Sequence, residues 1–451
     1  MKIKNFKRTF LGDNNRTILL RKNIIANFII KGISGLFMLL LVPITLKCLG
    51  IYANGVWQTI SAALILIDNM DIGLGNGLRN RLTEYAAKNE WTKARMAVST
   101  TLCLLIVIIV PVMFLLLVIV NNINMYSLLN IDFRIVQNLP QTISVAIVLF
   151  CMTFIMKFLG NIYLGMQLPA ISNFLTMAGQ PIILVSTYIM YLHNINSLFW
   201  IAVINLSAPL FVYCIAFPYT FHIKYPQLKP SFQYLSKKMS YGLFSMGILF
   251  FLNQISSTIV LLSSNMIISR WFAPSMVTPY QIAYRYFSIP LIIFTVINAP
   301  MWSATADAYQ KEDIEWIKKS NKRMNRTLLF FLSVIIFMII ISNYMYHIWI
   351  GNDITIDFAI TISVGLYIYI MMLSLVYCYY LNGIGALQLQ LICTLFGVLI
   401  FFISSNILFY CTGSILSITL SMSLSLLPNI FCNRIQFIKI INGTAKGIWK
   451  K

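Results

Sequence analysis

Charge is scarce in this chain, and acid is scarcer than base. Asp, Glu, Lys and Arg make up 10% of its 451 residues, against roughly 25% in soluble domains. A soluble protein of this length is therefore excluded. Histidine is nearly missing: His193, His222 and His347 are scattered, which argues against a metal site. The eight cysteines include no CxxC pair and no Cys/His cluster. Cys103, Cys151, Cys214, Cys378, Cys393 and Cys432 lie in or beside apolar runs, where they read as small packing residues without disulfides. The two-residue alternation of membrane β-strands is also missing. No loop carries a Ser/His/Asp set or an outward acid pair, so an enzyme is not expected.

Long apolar runs are what the sequence has in quantity. Hydrophobic residues make up 59% of the chain and the mean hydropathy is +0.81. Runs such as Leu102–Val120 and Leu389–Ile407 are long enough to cross a bilayer core as helices. The apolar pattern predicts twelve spans, at 24–46, 53–75, 98–120, 141–163, 170–191, 198–220, 243–268, 277–302, 327–349, 358–380, 389–410 and 413–433. The fold class is thus all-α integral membrane. The basic N-terminal segment 1–23 precedes an apolar run too long for a signal peptide, and reads as leading into a retained first helix.

The net charge of +21 would suggest nucleic acid in a soluble protein. Here it reports topology, because basic residues collect in cytoplasmic loops. With both termini inside, 27 of the 33 Lys and Arg fall in cytoplasmic segments. Three are external (Lys47, Arg134, Arg270) and three lie within helices (Lys31, Lys157, Arg285). Shifting the count by one helix would put the basic 303–326 segment outside. No external loop is long, Asn121–Pro140 being the longest, and none reads as a soluble domain.

The two halves resemble each other. Trp57-Gln58 matches Tyr280-Gln281, and Glu84, Lys88, Glu90 and Arg95 match Asp307, Lys311, Asp313 and Lys318, all 223 positions apart. Leu164-Gly165 and Asn382-Gly383 match at a slightly smaller offset. This pattern predicts two six-helix lobes, an N-lobe at 24–220 and a C-lobe at 243–433. A cytoplasmic linker at 221–242 joins them, and a basic cytoplasmic tail occupies 434–451. Transporters place their sites between such repeats.

Charges inside hydrocarbon cost roughly 2.5–3.5 kcal/mol on insertion scales, so they mark candidate sites. Lys31, seven residues into the first span, shares a polar stripe with Asn27 and Ser34. Its stem reaches about 6 Å while the position is about 10 Å deep, which favours a cavity over snorkelling. Arg285 shares a face with Gln281 and Ser288, beside Tyr284. Its planar fork suits phosphate and sugar hydroxyls. Gln58, Ser61 and Asp68 continue one stripe. Asp68 either serves a coupling ion or proton or pairs with Lys31, and Asp71 reads as a structural cap. Asn253 on the seventh helix is a candidate hydrogen-bonder. Tyr280, Tyr284 and Phe287 share a face and suit either sugar stacking or an interface belt. Arg79 and Glu84, with Asp307 in the matching loop, are candidates for an inner gate. The glycines 73, 75 and 77 lack the strand and the Lys-Ser/Thr of a nucleotide loop, so close helix packing or a hinge explains them better.

Gly55-Val-Trp57, the stretch from Asp71 to Arg81 (DIGLGNGLRNR) and Glu84-Tyr-Ala-Ala-Lys88 together resemble the Wzx-type polysaccharide flippases. These belong to the multidrug/oligosaccharidyl-lipid/polysaccharide (MOP) superfamily, which also contains the MATE exporters and the lipid II flippases. The motif covers about 35 residues; helix count and loop lengths extend the resemblance along the chain. It implies a V-shaped pair of lobes around a cationic cavity. It also implies a cargo of undecaprenyl-diphosphate-linked glycan flipped across the bacterial plasma (inner) membrane by alternating access, for O-antigen or capsule. Helices one, two, seven and eight line the cavity in this family. The implied partners are that glycan, membrane lipids and other polysaccharide-assembly membrane proteins, with no nucleic acid. No cofactor is implied beyond H+ or Na+ as a coupling ion. The competing expectations are a MATE-like drug or cation exporter and a membrane-embedded polysaccharide polymerase. The first should favour acidic cavities, and the second should carry a large external loop that this chain lacks.

Overall fold

A computed structural model describes residues 15–68, 74–166, 168–236, 248–298, 300–351 and 354–450. The described residues are helical with short turns and contain no strand. The chain is a multi-pass membrane protein. Among the described residues, ten helical segments are long and apolar enough to cross a bilayer. One of these, inside α1 (Asn15–Asp68), is broken at Gly50, whose φ of 72° ends the first crossing and starts the second. A further helix, α10 (Ile248–Trp271), fills the seventh place, so the twelve expected spans are accounted for.

The remaining elements run in chain order. α2 (Leu74–Ala87), α3 (Trp91–Asn122) and the short α4 (Met125–Leu129) lead to α5 (Leu139–Met156) and α6 (Phe158–Gly165). Then come α7 (Pro169–Met177), α8 (Gly179–Leu192) and α9 (Leu198–Pro218). The second half has α10, α11 (Pro274–Asn298), α12 (Pro300–Gln310), α13 (Ile314–Ile350), α14 (Phe358–Ile384), α15 (Gln388–Thr412) and α16 (Leu416–Ile441). The expected spans at 141–163 and 170–191 are each interrupted once, at Lys157 and Ala178. The 37-residue α13 runs well beyond its apolar part, because its basic first turns stay helical outside the hydrocarbon. The eighth helix starts at Pro274, three residues earlier than the apolar pattern suggests, since proline is well placed at a helix start.

Large apolar side chains are exposed along α3, α13 and α15, among them Phe114, Phe337, Ile340 and Ile403. Water would reject such a surface, whereas lipid accepts it. The interiors are held by small and hydroxyl residues. In α16, Ser417, Ser421, Ser423 and Ser425 are buried, each bonding a carbonyl of its own helix or turn. A Cβ on Gly397 of α15 would collide with the Ser425 backbone, which is the close approach that small residues permit between membrane helices.

Contacts divide the chain into two compact units. One comprises Met1–Cys48, Asp71–Asn122 and Pro140–Gly247; the other comprises Leu49–Met70, Ile123–Leu139 and Ile248–Lys451. The first half of the sequence thus lends residues 49–70 and 123–139 to the second unit.

The internal repeat reaches backbone detail. The turns α2–α3 and α12–α13 each place one residue in the left-handed region, Asn89 and Glu312, both at φ 57° and 223 positions apart. Glu90 N–H donates to Tyr85 O, and Asp313 N–H to Ala308 O, both at 2.9 Å and both at that offset. In the first unit, a Cβ on Gly165 would meet Arg79 O and Leu82. In the second, a Cβ on Gly383 would meet Trp302 O and Thr305, the residues 223 positions further on. Two elbows of unlike sequence therefore dock on their helices through matching glycines.

Candidate functional site

The polar interior of the second unit is built where the second half of α1 crosses α11. Gly55 lets the helices touch: a Cβ there would collide with the Pro274 carbonyl, and Thr278 Oγ1 lies beside it. Thr278 Oγ1 donates to Ile51 O at 2.7 Å, and Asn54 Nδ2 donates to Thr278 Oγ1 at 3.3 Å. Ile51 and Pro274, like Gly55 and Thr278, are repeat counterparts at the 223 offset. Each helix thus meets its own counterpart at this crossing.

One to two turns further in, the chemistry stops being symmetric. Arg285 Nη2 donates to Gln58 Oε1 at 2.9 Å. The counterpart of Arg285 on α1 is Ala62, which carries no charge. Arg285 is half-buried and lies eleven residues past the start of α11 at Pro274, about 16 Å along it. Among the described residues no carboxylate lies within ion-pair reach of it, and Gln58 is its one side-chain partner. A guanidinium has five N–H donors, so most of its fork is not taken by described side chains. A hydrogen bond to a charged group contributes about 1.5–3 kcal/mol, enough for Gln58 to fix the fork's direction.

The neighbours expected to share that face have other duties. Gln281, the repeat counterpart of Gln58, donates from Nε2 to Asn265 Oδ1 of α10 at 2.7 Å, away from Arg285. Asn265, buried in the structure, was not among the sequence candidates; its place in the polar trio Ser263-Ser264-Asn265 within an apolar run was the sequence signal. Ser288 is buried and returns its hydroxyl to Arg285 O at 2.7 Å. Tyr280 and Phe287 are core residues, not a lipid belt and not a sugar platform: they are 1% and 0% exposed, and Tyr280 Oη reaches Met422 Sδ at 3.4 Å. Tyr284 is half-buried between Tyr280 and Tyr367, with ring centroids at 6.3 and 6.5 Å. Ser61 bonds back to Trp57 O at 2.8 Å.

Lys31 lies in the first unit. On the first half of α1 the exposed apolar residues Ile29, Ile33, Leu36 and Leu40 recur at i, i+4, i+7 and i+11, which makes one lipid-ready stripe. At about 100° per residue, Lys31 and Ser34 point to the other side of the helix. Lys31 is nevertheless exposed, Ser34 is half-buried, and a Cβ on Gly32 or Gly35 would meet nothing within 4 Å. Further along the Lys31 face, Val42 and Thr45 are buried. The cationic position is therefore open on a face that does not present apolar side chains outward.

Arg79 and Glu84 sit on the exposed side of α2. Glu84 is held by Lys88 at 2.8 Å and by Arg81 at 3.7 Å. The Lys88 hydrogen bond keeps its carboxyl below the usual glutamate value. Gly75 and Gly77 are helical, and buried, within α2, and Gly73 lies outside the described residues. The side chains of Asn27, Asp68, Asn253 and Asp307, and all of Asp71, lie outside the described residues. No group of three His, Cys, Asp or Glu able to hold a metal occurs among the described residues.

No family model matches the sequence, and no curated protein does so either. Solved structures do match. The inward-facing conformation of a multidrug resistance MATE family transporter of the MOP superfamily aligns at TM-score 0.77 and 13% identity, over 92% of this chain and 96% of that one. The outward-facing conformation of such a transporter gives 0.62 at 14% identity, over 95% of each chain. A MATE crystal structure in complex with MaD3S gives 0.66 at 15%, over 94% and 97%. At these identities the likeness concerns architecture: the chain has the twelve-helix fold of the MATE transporters.

Proposed function

We propose that this protein is an alternating-access transporter that carries an anionic, lipid-linked glycan across the plasma membrane, in the manner of the polyprenyl-diphosphate-oligosaccharide flippases. The observation that carries the reading is Arg285: a guanidinium in a membrane interior, steered by a neutral glutamine, with donors to spare and no carboxylate beside it among the described residues. Keeping such a charge costs stability, which a role in binding anionic cargo explains. The diphosphate of the cargo accepts from the Arg285 fork, and Lys31 is an exposed cation of the first unit by itself. Sugar hydroxyls suit Gln58 and Tyr284, while the polyprenyl tail remains in lipid.

A second reading, a MATE-like exporter of cationic drugs, is favoured by the fold of the solved structures. It asks for carboxylates at the site. The sequence has no Asp or Glu from 133 to 306 and none after Asp357, so α10, α11, α14, α15 and α16 cannot supply one. Asp68 and Asp71, both inside the span expected at 53–75, are the membrane acids left to such an exporter.

Complementation of a strain lacking its lipid-linked-glycan flippase tests the two readings together. Surface glycan is measured for wild type, Arg285→Gln and Lys31→Gln at matched protein levels, alongside resistance to cationic drugs. The proposal expects restored glycan with wild type and a loss of about tenfold or more with Arg285→Gln. Normal glycan from both variants, or drug resistance without glycan export, would overturn it.

A further inference from the structure

The acid-free stretch between Asp132 and Asp307 leaves its cations without anionic neighbours in sequence. Three basic residues of that stretch, His222, Lys224 and Lys229, lie within eight positions of one another on the cytoplasmic side of the first unit. α9 spans about 30 Å at 1.5 Å per residue, so the chain just beyond its end sits at headgroup depth. There the helix widens into a π-helical turn, Tyr219–Lys224, ending in His222 and Lys224. Such turns are frequent at functional sites. His222 Nδ1 lies 3.1 Å from Pro218 O, which places the ring proton there. Nε2 is then free to accept from the Lys229 ammonium at 3.3 Å. Lys224 Nζ stands over the rings of Tyr163 and Tyr225, at 5.1 and 5.9 Å from their centroids.

The arrangement is fixed to the cytoplasmic end of α3. Arg95 Nε donates to Lys229 O at 2.7 Å, and its guanidinium stacks 4.3 Å above the Tyr234 ring. Ser231 N–H donates to Ser99 Oγ at 3.1 Å and Ser236 N–H to Thr100 Oγ1 at 3.2 Å. The unit's described acids are engaged elsewhere, Glu84 with Lys88 and Glu90 with Lys93. Beside these cations, apolar side chains point outward: Phe232 is 87% and Ile223 69% exposed. A soluble loop would not present them; a segment lying in the headgroup boundary would.

We propose that Lys224 and Lys229, the latter positioned by His222, bind the phosphate of an anionic phospholipid of the cytoplasmic leaflet, with Phe232 and Ile223 seated among the surrounding lipid. The two ammoniums supply point-charge donors suited to a phosphodiester, and His222 holds Lys229 in place. A small soluble phosphate offers the same chemistry to the cations but gives no use to the apolar pair.

The test uses the purified full-length chain in nanodiscs of phosphatidylcholine doped with phosphatidylglycerol, and reads the phosphatidylglycerol retained after extraction into zwitterionic detergent. Wild type should enrich phosphatidylglycerol over phosphatidylcholine. Lys224→Gln with Lys229→Gln should lower that enrichment by about fivefold for each lysine removed at low salt. Lys224→Arg with Lys229→Arg should keep most of it, and glycerol 3-phosphate at millimolar concentration should leave it unchanged. Equal enrichment in the glutamine pair would overturn the proposal. So would displacement by glycerol 3-phosphate, which would indicate a site for small phosphates. If the glutamine pair does not fold, Phe232→Ser with Ile223→Ser decides: retention falling at least about twofold supports a lipid-seated site, and unchanged retention sinks it.

Discussion

The two elbows α2–α3 and α12–α13 share a backbone and differ in how they are fastened. In the first, Thr83 Oγ1 donates to Gly165 O at 2.8 Å, and a Cβ on Gly165 would meet its nearest neighbours at 3.0–3.1 Å. In the second, the counterpart of Thr83 is Ala306 and offers no hydroxyl. The contact is tighter instead: a Cβ on Gly383 would lie 2.6 Å from Trp302 O and 2.9 Å from Thr305 Cβ. The same division recurs where α1 crosses α11. The crossing is symmetric, but Arg285 faces a glutamine while its counterpart Ala62 has no charge to offer. Backbone geometry is shared where helices bend and touch, and chemistry has diverged one turn away.

Substitutions can break this comparison in order of severity. Arg285→Gln should lower glycan export about tenfold or more at unchanged protein level, while Ala62→Gln, on the symmetric position, should leave export within about twofold; the same complementation assay reads both. Gly55→Val forces a branched side chain into the Pro274 backbone. Overpacking of this kind costs about 1–3 kcal/mol or more, so the melting temperature in detergent should fall by several degrees. Gly383→Ala should destabilise by about 1–3 kcal/mol, and Gly165→Ala by less, because the nearest atoms at Gly165 lie at 3.0–3.1 Å whereas Trp302 O lies 2.6 Å from a Cβ on Gly383. Equal melting temperatures for the two glycine variants would show that the elbows are fastened alike. Thr83→Ala should cost about 1 kcal/mol and Ala306→Thr should gain nothing comparable.

The smallest effect concerns Glu84. Its carboxyl is held below the ordinary value by the Lys88 hydrogen bond, so the native state binds its proton later than the unfolded chain does. That contribution is complete above the unfolded glutamate value and fades as pH falls through the lowered one. Melting temperature tracked from pH 6 downward should therefore drop slightly less steeply for Glu84→Gln than for wild type.

Much of the fold is legible in the sequence, because lipid imposes length and charge asymmetry on every crossing. Gly50 and Pro274 set boundaries that hydropathy alone blurred by a few residues. The repeat was visible at Glu84 and Asp307, since loop residues at a helix start keep their spacing. The site was less legible. Periodicity put Gln281 beside Arg285, but the amide turns to Asn265, a residue whose apolar surroundings disguised it. Tyr280 and Phe287 read equally well as a belt or a platform, and burial made them neither. Side-chain direction depends on which neighbouring helix offers a partner, and helical spacing carries no record of that.

The meeting of Ile51 and Gly55 with Pro274 and Thr278 has a consequence for ancestry. A residue that touches its own repeat counterpart makes the isologous kind of contact found on the two-fold axis of a homodimer. A notch closed by counterpart residues from both sides has the geometry by which two identical half-length chains dock. The Arg285 charge, placed on one side only, is then a change that became possible once the two copies were free to vary independently.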